Sequence, residues 1–474
     1  MSEIEGGGFA LPRSAIQDVT WPAVPAAAAA GLLALLQQLE HTQWWAPERL
    51  LEQQLRQASV LLSHAAKHVP FHRARLDEAG IRIRPGRTLY PDEWARIPIM
   101  TRDDIQAAGT ALHADVLPAG HGPIHRQSSS GSTGKPIESL GTRMTQLLWA
   151  AFSVREHLWH RRDPRGVLAS IRGFATGKGL YPAGLRLRSW GFPIAALYHT
   201  GPAVGLSVMT STEQQAQWLA RADPDYLLTF PSALRALARH CREAGIALPR
   251  LRQARTLSEV LSPETRAEVE ATWGIKVCDM YSAREVGYMA LQCPDHDHYH
   301  VQAEGVLVEM LDEAGAPCPP GRAGRIVVTP LHNFAMPLLR YDIGDYAVPG
   351  RPCPCGRGLP VLTRITGRVR NMLRLPGGGE AWPLIGEPWY TNIPAIRQYQ
   401  MVQTALQRLE LHLVVDRPLT AGEEAELRRI VVDRIGHPFE IALIYRDAIP
   451  RGPGGKFEDF KCELPPPSPA EGSA

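Results

Sequence analysis

Net charge is almost absent from this sequence: 51 Lys and Arg oppose 48 Asp and Glu, leaving +3 over 474 residues. That balance excludes the electrostatic footprint of a protein that binds nucleic acid or sits on an anionic membrane. Long apolar runs are missing too. The stretch 22–36 is interrupted by Pro25 and is too short to span a bilayer. The beginning, Met1-Ser2-Glu3-Ile4-Glu5, lacks the basic region of a secretory signal. The expectation is a soluble, cytoplasmic protein with no membrane and no nucleic-acid partner. Cysteine is scarce: seven residues, an odd number, with two in Cys353-Pro354-Cys355. In a cytosolic chain that spacing favours metal or redox chemistry over a disulfide framework. No internal repeat is visible.

Other features are abundant. The length is about two to three times that of an ordinary domain, so a sizeable core and more than one domain are expected. A hydrophobic share of 44% and a charged share of 21% are those of a globular chain. The 42 Gly and 41 Pro exceed the roughly 12% expected together, which implies many turns.

Residues 1–20 read as a flexible tail. Between Trp44 and Gly80 the apolar residues recur at helical spacing, and Pro70 ends or kinks that helix. Segments 91–96 and 101–107 read as short helices, the second capped by Thr101 or Asp103. After His125, strands predicted at 166–171, 226–230 and 276–280 alternate with helices at 213–221, 232–244 and 263–272, which argues for an α/β sheet. Strands at 306–311 and 324–329 have no helix between them and read as an antiparallel appendage. A smaller unit begins near Gly367, with a strand at 408–415, a helix at 421–435 and a strand at 439–445. The expected division is a tail at 1–20, a large domain at 21–366, a small α+β domain at 367–463 and a Pro/Ser-rich tail at 464–474.

The first chemical motif is Ser128-Ser129-Ser130-Gly131-Ser132-Thr133-Gly134-Lys135-Pro136. Small residues let consecutive N–H groups and hydroxyls surround phosphate oxygens, and Lys135 adds positive charge. It is not a Walker A loop, because Ser129 stands where the first Gly belongs and Pro136 where Ser or Thr belongs. A flexible Ser/Gly linker is the competing reading.

This stretch resembles the phosphate loop of adenylate-forming ligases, and within them the phenylacetate–CoA ligase-like and CapK-type group. The same group opens with an amphipathic helix ending in a turn like Val69-Pro70-Phe71, followed by a segment like Ile97-Pro98-Ile99-Met100-Thr101-Arg102-Asp103-Asp104. The similarity runs over roughly residues 45–462. It implies an α/β fold: a large amino-terminal domain of mixed and parallel sheets with helices, and a small mobile α+β carboxy-terminal domain.

Downstream motifs extend the resemblance. Phe230-Pro231-Ser232 is similar to a wall of the acyl pocket. Asp279-Met280-Tyr281-Ser282-Ala283-Arg284-Glu285 resembles the motif in which Tyr281 and Ser282 would lie by the adenylate and Glu285 would hold Mg²⁺, a hard cation suited to oxygen ligands. Ser282 replaces a Gly there, and Arg284 replaces a hydroxyl residue. Arg340-Tyr341-Asp342-Ile343-Gly344-Asp345 implies that Asp345 accepts hydrogen bonds from the ribose hydroxyls. Arg368 would contact the nucleotide, and Arg370 stands at the hinge, where Asp or Lys is usual. Pro450-Arg451-Gly452-Pro453-Gly454-Gly455-Lys456 is similar to the mobile loop whose lysine neutralises charge between the carboxylate and the α-phosphate. Lys456, Glu285 and Lys135 are thus the catalytic candidates. Residues 129–135 with Tyr281, Ser282, Asp345 and Arg368 form the nucleotide-binding set.

Cys293, the histidines at 296, 298 and 300, Cys353 and Cys355 could complete a tetrahedral zinc site. A redox pair or unligated cysteines are the alternatives. The resemblance favours structural zinc on Cys293, His300, Cys353 and Cys355, with His298 and His296 behind His300. Cys241, Cys278, Cys318 and Cys462 have no partner pattern.

The implied reaction joins ATP and a carboxylic acid, aryl or small and apolar, into an acyl-adenylate with loss of pyrophosphate. Coenzyme A then takes the acyl group. Transfer to an amine or to a carrier-protein thiol, or a catalytically impaired nucleotide-binding protein, are the other readings. Trp190, Phe192, Tyr198 and Phe230 are candidates for an aromatic pocket.

Overall fold

The computed structural model describes residues 12–84, 86–128, 137–368, 373–377, 380–381, 393, 395–451 and 457–464. Part of the expected tail is held in place: the Arg13 N–H donates to the Leu197 carbonyl at 2.7 Å, and the Ala15 N–H to that of Val24 at 2.7 Å. Five helices follow, α1 (Ala27–Thr42), α2 (Pro47–His68), α3 (Pro70–Glu78), α4 (Pro91–Ala95) and α5 (Arg102–Ala108). Pro47 and Pro70 each occupy a first helical turn, where a missing N–H costs nothing, so Pro70 starts α3 where α2 ends. Thr101 caps α5: its hydroxyl accepts the Asp104 N–H while the Asp104 carboxylate accepts the Thr101 N–H.

A hairpin of β1 (Ile124–Ser128) and β2 (Glu138–Thr142) leads into α6 (Arg143–Trp159). The α/β region then runs β3 (Leu168–Arg172), β4 (Leu185–Leu187), α7 (Ile194–Leu197), β5 (Ala203–Ser207), α8 (Thr212–Ala222), β6 (Tyr226–Thr229), α9 (Pro231–Ala244), β7 (Gln253–Leu257), α10 (Pro263–Trp273) and β8 (Lys276–Ala283). Next come β9 (Gly287–Gln292), β10 (Tyr299–Val301), β11 (Val306–Leu311), β12 (Gly324–Pro330), β13 (Tyr341–Pro349) and β14 (Val361–Arg368). All the strands from β3 to β14 form one twelve-stranded sheet, ordered β11-β12-β13-β14-β10-β9-β8-β7-β6-β3-β5-β4. Its β5-β3-β6-β7-β8 portion is parallel. The later strands are antiparallel, as expected, but they are no appendage. The β8–β9 hairpin and the β9–β10–β14 pairings weld them to the parallel half.

The chain places β5 on one side of β3 and β6 on the other, so the strand order reverses at β3. In such sheets the crevice at the carboxyl ends of the parallel strands is where ligands bind. Gly367 and Arg368 still pair with Tyr346 and Asp345 on β13, so the large sheet runs past the expected boundary at 366. The small domain contains β15 (Leu373–Arg374), β16 (Glu380–Ala381), β17 (Ile396–Ala405), β18 (Arg408–Val415), α11 (Ala421–Ile435), β19 (Glu440–Tyr445) and β20 (Phe460–Cys462). Its four-stranded sheet, β19-β18-β17-β20, buries the alternating Leu409, Leu411 and Leu413 of β18 with Leu427 and Val431 of α11.

The helix layer is fastened to the parallel strands by buried charge. Glu156 of α6 pairs with Arg162 at 2.7 Å and with Arg255 of β7 at 2.6 Å, and all three side chains are buried. Burial and the neighbouring guanidinium groups hold His160 down at about 3, so it adds no charge to the cluster. Removing one member of a buried ion cluster strands the others without solvent, at a cost of about 3–5 kcal/mol. Glu156→Gln should therefore destabilise the large domain by about that amount in urea unfolding followed by tryptophan emission. A loss below about 1 kcal/mol would show that the cluster does not hold α6 to the sheet.

Candidate active site

A cleft of about 2010 Å³ opens at the carboxyl ends of β3, β6, β7 and β8, and residues of both domains line it. Four of the predicted catalytic and nucleotide-binding residues meet there, Tyr281, Ser282, Glu285 and Asp345, together with the predicted pocket wall Phe230-Pro231-Ser232. Tyr281 and Ser282 come from the end of β8. Glu285 sits in the tight turn to β9, whose Gly287 takes φ 104°, a value open to glycine. Asp345 comes from β13, far along the sheet, yet the Tyr281 hydroxyl donates to its Oδ2 at 2.7 Å. Arg368, on β14, is the register partner of Asp345.

The strand end beneath this group is fixed by Asp279. Its carboxylate accepts from Thr256 at 2.6 Å and Tyr299 at 2.7 Å, and its N–H donates to Gln292. Burial raises the Asp279 carboxyl to about 6 against the pull of those two donors. Its place beneath the strand end makes it an anchor. Arg340, the first residue of its motif, does not line the cleft as Asp279 does. It pairs with Glu309 at 3.0 Å and donates to the Ile97 carbonyl at 2.6 Å, tying the linker between α4 and α5 to the sheet.

The phosphate-loop candidates Ser129, Ser130, Gly131, Ser132, Thr133, Gly134 and Lys135 lie outside the described residues, as do Arg370 and Lys456. β1 and β2 flank the first group, and Gln127 and Ser139 line the cleft. Arg451 and Phe457, on either side of the lysine stretch, line it too. Of the four candidate pocket aromatics, Phe192 and Phe230 line the cleft. The other two do not. Trp190 donates to the Gly166 carbonyl and packs on Tyr226, and Tyr198 is 4% exposed in the core under α1. The aromatic share that sequence reasoning missed is Trp149 of α6, exposed on the cleft and tilted against Tyr288 with ring centroids 4.8 Å apart. Its helical spacing gave no sign of which face it occupied. Glu259, which follows β7 and also lines the cleft, was missed because no motif surrounds it.

A second cluster lies apart from the cleft. Donor atoms of Cys293, His300, Cys353 and Cys355 all fall within 4.8 Å of one another. The Cys293 and Cys353 sulfurs are 3.9 Å apart, and Cys355 Sγ is 3.4 Å from His300 Nε2. The edges of a tetrahedral zinc site are about 3.8 Å between sulfurs and about 3.5 Å between sulfur and nitrogen, so the donor set fits that ion. His300 Nδ1 faces the Leu359 carbonyl at 3.5 Å, which leaves Nε2 as the ligand atom. Burial lowers His300 to about 3, keeping the ring neutral as a ligand must be. His296 and His298 stack on each other and do not join the four donors. The loop after Cys355 is tied to the amino-terminal helices: Arg357 lies over the Trp44 and Trp159 rings, and the Gly358 N–H donates to the Gln43 carbonyl at 2.9 Å.

Known proteins share this architecture. The CapK C-terminal domain family matches residues 388–462. A phenylacetate-coenzyme A ligase of Thermus thermophilus is 26% identical over 450 residues, covering 86% of this chain and 96% of that protein. One from Pseudomonas putida is 26% identical over 347 residues, covering 70% and 73%. A crystal structure of 2-hydroxyisobutyryl-CoA ligase, in the postadenylation state with 2-HIB-AMP, superposes with a TM-score of 0.68 at 20% identity, covering 86% of this chain and 89% of that one. No helix among the described residues is long and apolar enough to cross a membrane. The chain is thus similar to phenylacetate-coenzyme A ligases over most of its length, matches the CapK C-terminal domain family at its carboxy-terminal end, and shares its fold with a CoA ligase.

Proposed function

We propose that this chain is an AMP-forming acid–thiol ligase that acts in the cleft between its domains. The observation that carries the reading is the meeting of Tyr281, Ser282, Glu285 and Asp345, from distant parts of the chain, at the carboxyl ends of the parallel strands. Asp345 would receive the ribose hydroxyls, its position fixed by the Tyr281 hydroxyl. The Ser/Thr/Gly loop with Lys135 would hold the β- and γ-phosphates, and Glu285 would offer an oxygen to a Mg²⁺ ion. That ion would supply neutralisation of the phosphate charge. A carboxylate oxygen attacks the α-phosphorus and the bond to pyrophosphate breaks, with Lys456 neutralising the charge that builds between them. The coenzyme A thiolate then attacks the acyl carbon, and AMP leaves with its electron pair. Positioning and fixed charge carry the rate, and no covalent enzyme intermediate is needed.

Phe192, Phe230 and Trp149 on the cleft wall support an aryl or apolar acid. Carboxylate-dependent exchange of pyrophosphate into ATP, run over a panel of aryl and short aliphatic acids, should be strongest with an aryl acid. Exchange with none of them, despite measurable ATP binding, would defeat the reading. Amines or a carrier protein in place of coenzyme A would show any other acceptor. Asp345→Ala should raise the KM for ATP roughly ten- to hundredfold, the loss of about 1.5–3 kcal/mol of charged hydrogen bonding. An unchanged KM would remove Asp345 from the nucleotide site.

The cysteine cluster would serve as a structural zinc site, since all four positions are filled by protein. The purified chain should carry about one zinc, and Cys353→Ser with Cys355→Ser should lose it and lower the melting temperature. Full zinc content in that variant would refute the assignment.

A further inference from the structure

The parallel strand at which the sheet order reverses ends in an arginine. Along β3, Ala169 and Ile171 are buried against α8 and α9, so Leu168, Ser170 and Arg172 share the opposite face. Ser170 is the register partner of Leu228 on β6, and Leu228 packs with the apolar residues of α6. That face therefore looks toward α6. Arg172 is the last residue of β3 and lines the cleft, as do Trp149 of α6, Phe192 and Met209.

An aromatic platform holds this cation in place. The Arg172 guanidinium lies 5.3 Å from the centroid of the Phe174 ring. That ring is seated against two glycines: a Cβ added at Gly205 of β5 would come within 2.6 Å of it, and one at Gly179 within 2.9 Å. The Val208 N–H donates to the Arg172 carbonyl at 3.0 Å and fixes the backbone beneath. Three other arginines of the cleft are matched by protein carboxylates: Arg239 by Glu243 at 3.0 Å, Arg397 by Glu243, and Arg451 by Glu259 at 3.4 Å. Among the described residues no carboxylate pairs with Arg172.

Position says what this cation would meet. Neighbouring strands lie about 4.8 Å apart, so β3, three strands from β8, is about 14 Å from the strand that carries Tyr281. Phe230, at the end of β6, stands between them on the cleft. An acid whose reacting carboxylate faces the nucleotide runs past Phe230 and presents its far end to Arg172. A guanidinium receives a carboxylate through two parallel N–H donors, and Arg172 breaks no protein ion pair in doing so. Resting on the ligase reading above, we infer that the cleft selects an aryl acid with a second, distal carboxylate, and that Arg172 is the specificity-determining residue that receives it. An arginine that only covered the Phe174 ring would be indifferent to what the acid carries at its far end.

The test compares phenylacetate with 1,4-phenylenediacetate, which differ only in the second carboxymethyl group. In wild type, kcat/KM for pyrophosphate exchange should be at least tenfold higher with the diacid, as one charged hydrogen-bonded pair provides. Arg172→Ala should raise the KM for the diacid at least tenfold and abolish the preference. Its exchange with phenylacetate, and the KM for coenzyme A in thioester formation, should stay within threefold of wild type. Arg172→Lys, which keeps the charge but not the planar fork, should retain part of the preference. Equal use of the two acids by wild type, or a preference that survives in Arg172→Ala, would overturn the assignment. So would a raised KM for coenzyme A with the acid preference intact, because the cation would then serve a phosphate of that substrate.

Calorimetric titration tests the selection without turnover. Wild type should bind the diacid at least tenfold more tightly than phenylacetate, and Arg172→Ala should bind the two alike. Binding of the diacid no tighter than that of phenylacetate in wild type would overturn the proposal. Wild-type protein that showed no exchange with any acid would instead refute the ligase reading, while the titration would still decide whether Arg172 receives a second carboxylate.

Discussion

The antiparallel pairing of β8 with β9 is the joint on which the molecule depends. It couples a parallel, ligand-presenting half-sheet to an antiparallel half within one twelve-stranded layer. Because β13 belongs to the same layer as β8, Asp345 can reach the hydroxyl of Tyr281 even though 63 residues separate them in the chain. The β8–β9 turn also places Glu285 at the same edge. A break at this hairpin would leave the ribose-binding candidate and the metal-binding candidate on separate pieces.

Charge does much of the fastening in this fold. Glu156 with Arg162 and Arg255 locks α6 to β7, and Glu304 with Arg155 and Thr42 locks α6 to the end of α1. Arg340 with Glu309 secures the linker before α5. Each pair is desolvated and therefore costly to break, though not necessarily a gain over apolar packing. Two of them join a helix or linker to a sheet strand, and the Glu304 group joins α6 to α1 from the loop between β10 and β11. The cysteine cluster works in the same place, since its loop reaches the α1–α2 junction through Arg357 and Gly358.

Sequence periodicity exposed the elements that obey simple rules. The break at Pro70, the Thr101 cap, the β/α alternation and the alternating strand at 408–415 all reappear at nearly the expected bounds. Strands β9, β10, β13 and β14 went unread; β9 and β10 are buried on both faces, so they carry no amphipathic alternation. Their absence from the reading is why the antiparallel half was taken as an appendage. Motif resemblance found Tyr281, Ser282, Glu285 and Asp345 on one cleft, where no local pattern could bring residues so distant together. It was blind to Glu259, whose environment is made by segments near 232, 259, 451 and 457 that meet only in the folded chain. The aromatic candidates divided for a related reason: Trp190 and Tyr198 are apolar enough for a pocket, and equally suited to the core that took them.

The central claim is that the cleft activates a carboxylate at the α-phosphorus of ATP. Isotope tracing tests this most directly. An accepted acid labelled with ¹⁸O in both carboxylate oxygens is turned over with ATP and coenzyme A, and the phosphorus products are examined by mass spectrometry. The account predicts that one labelled oxygen appears in AMP and none in pyrophosphate, because the oxygen that attacks the α-phosphorus stays with it when the thiol takes the acyl group. Label in inorganic phosphate with formation of ADP, or thioester formation with unlabelled AMP, would contradict it.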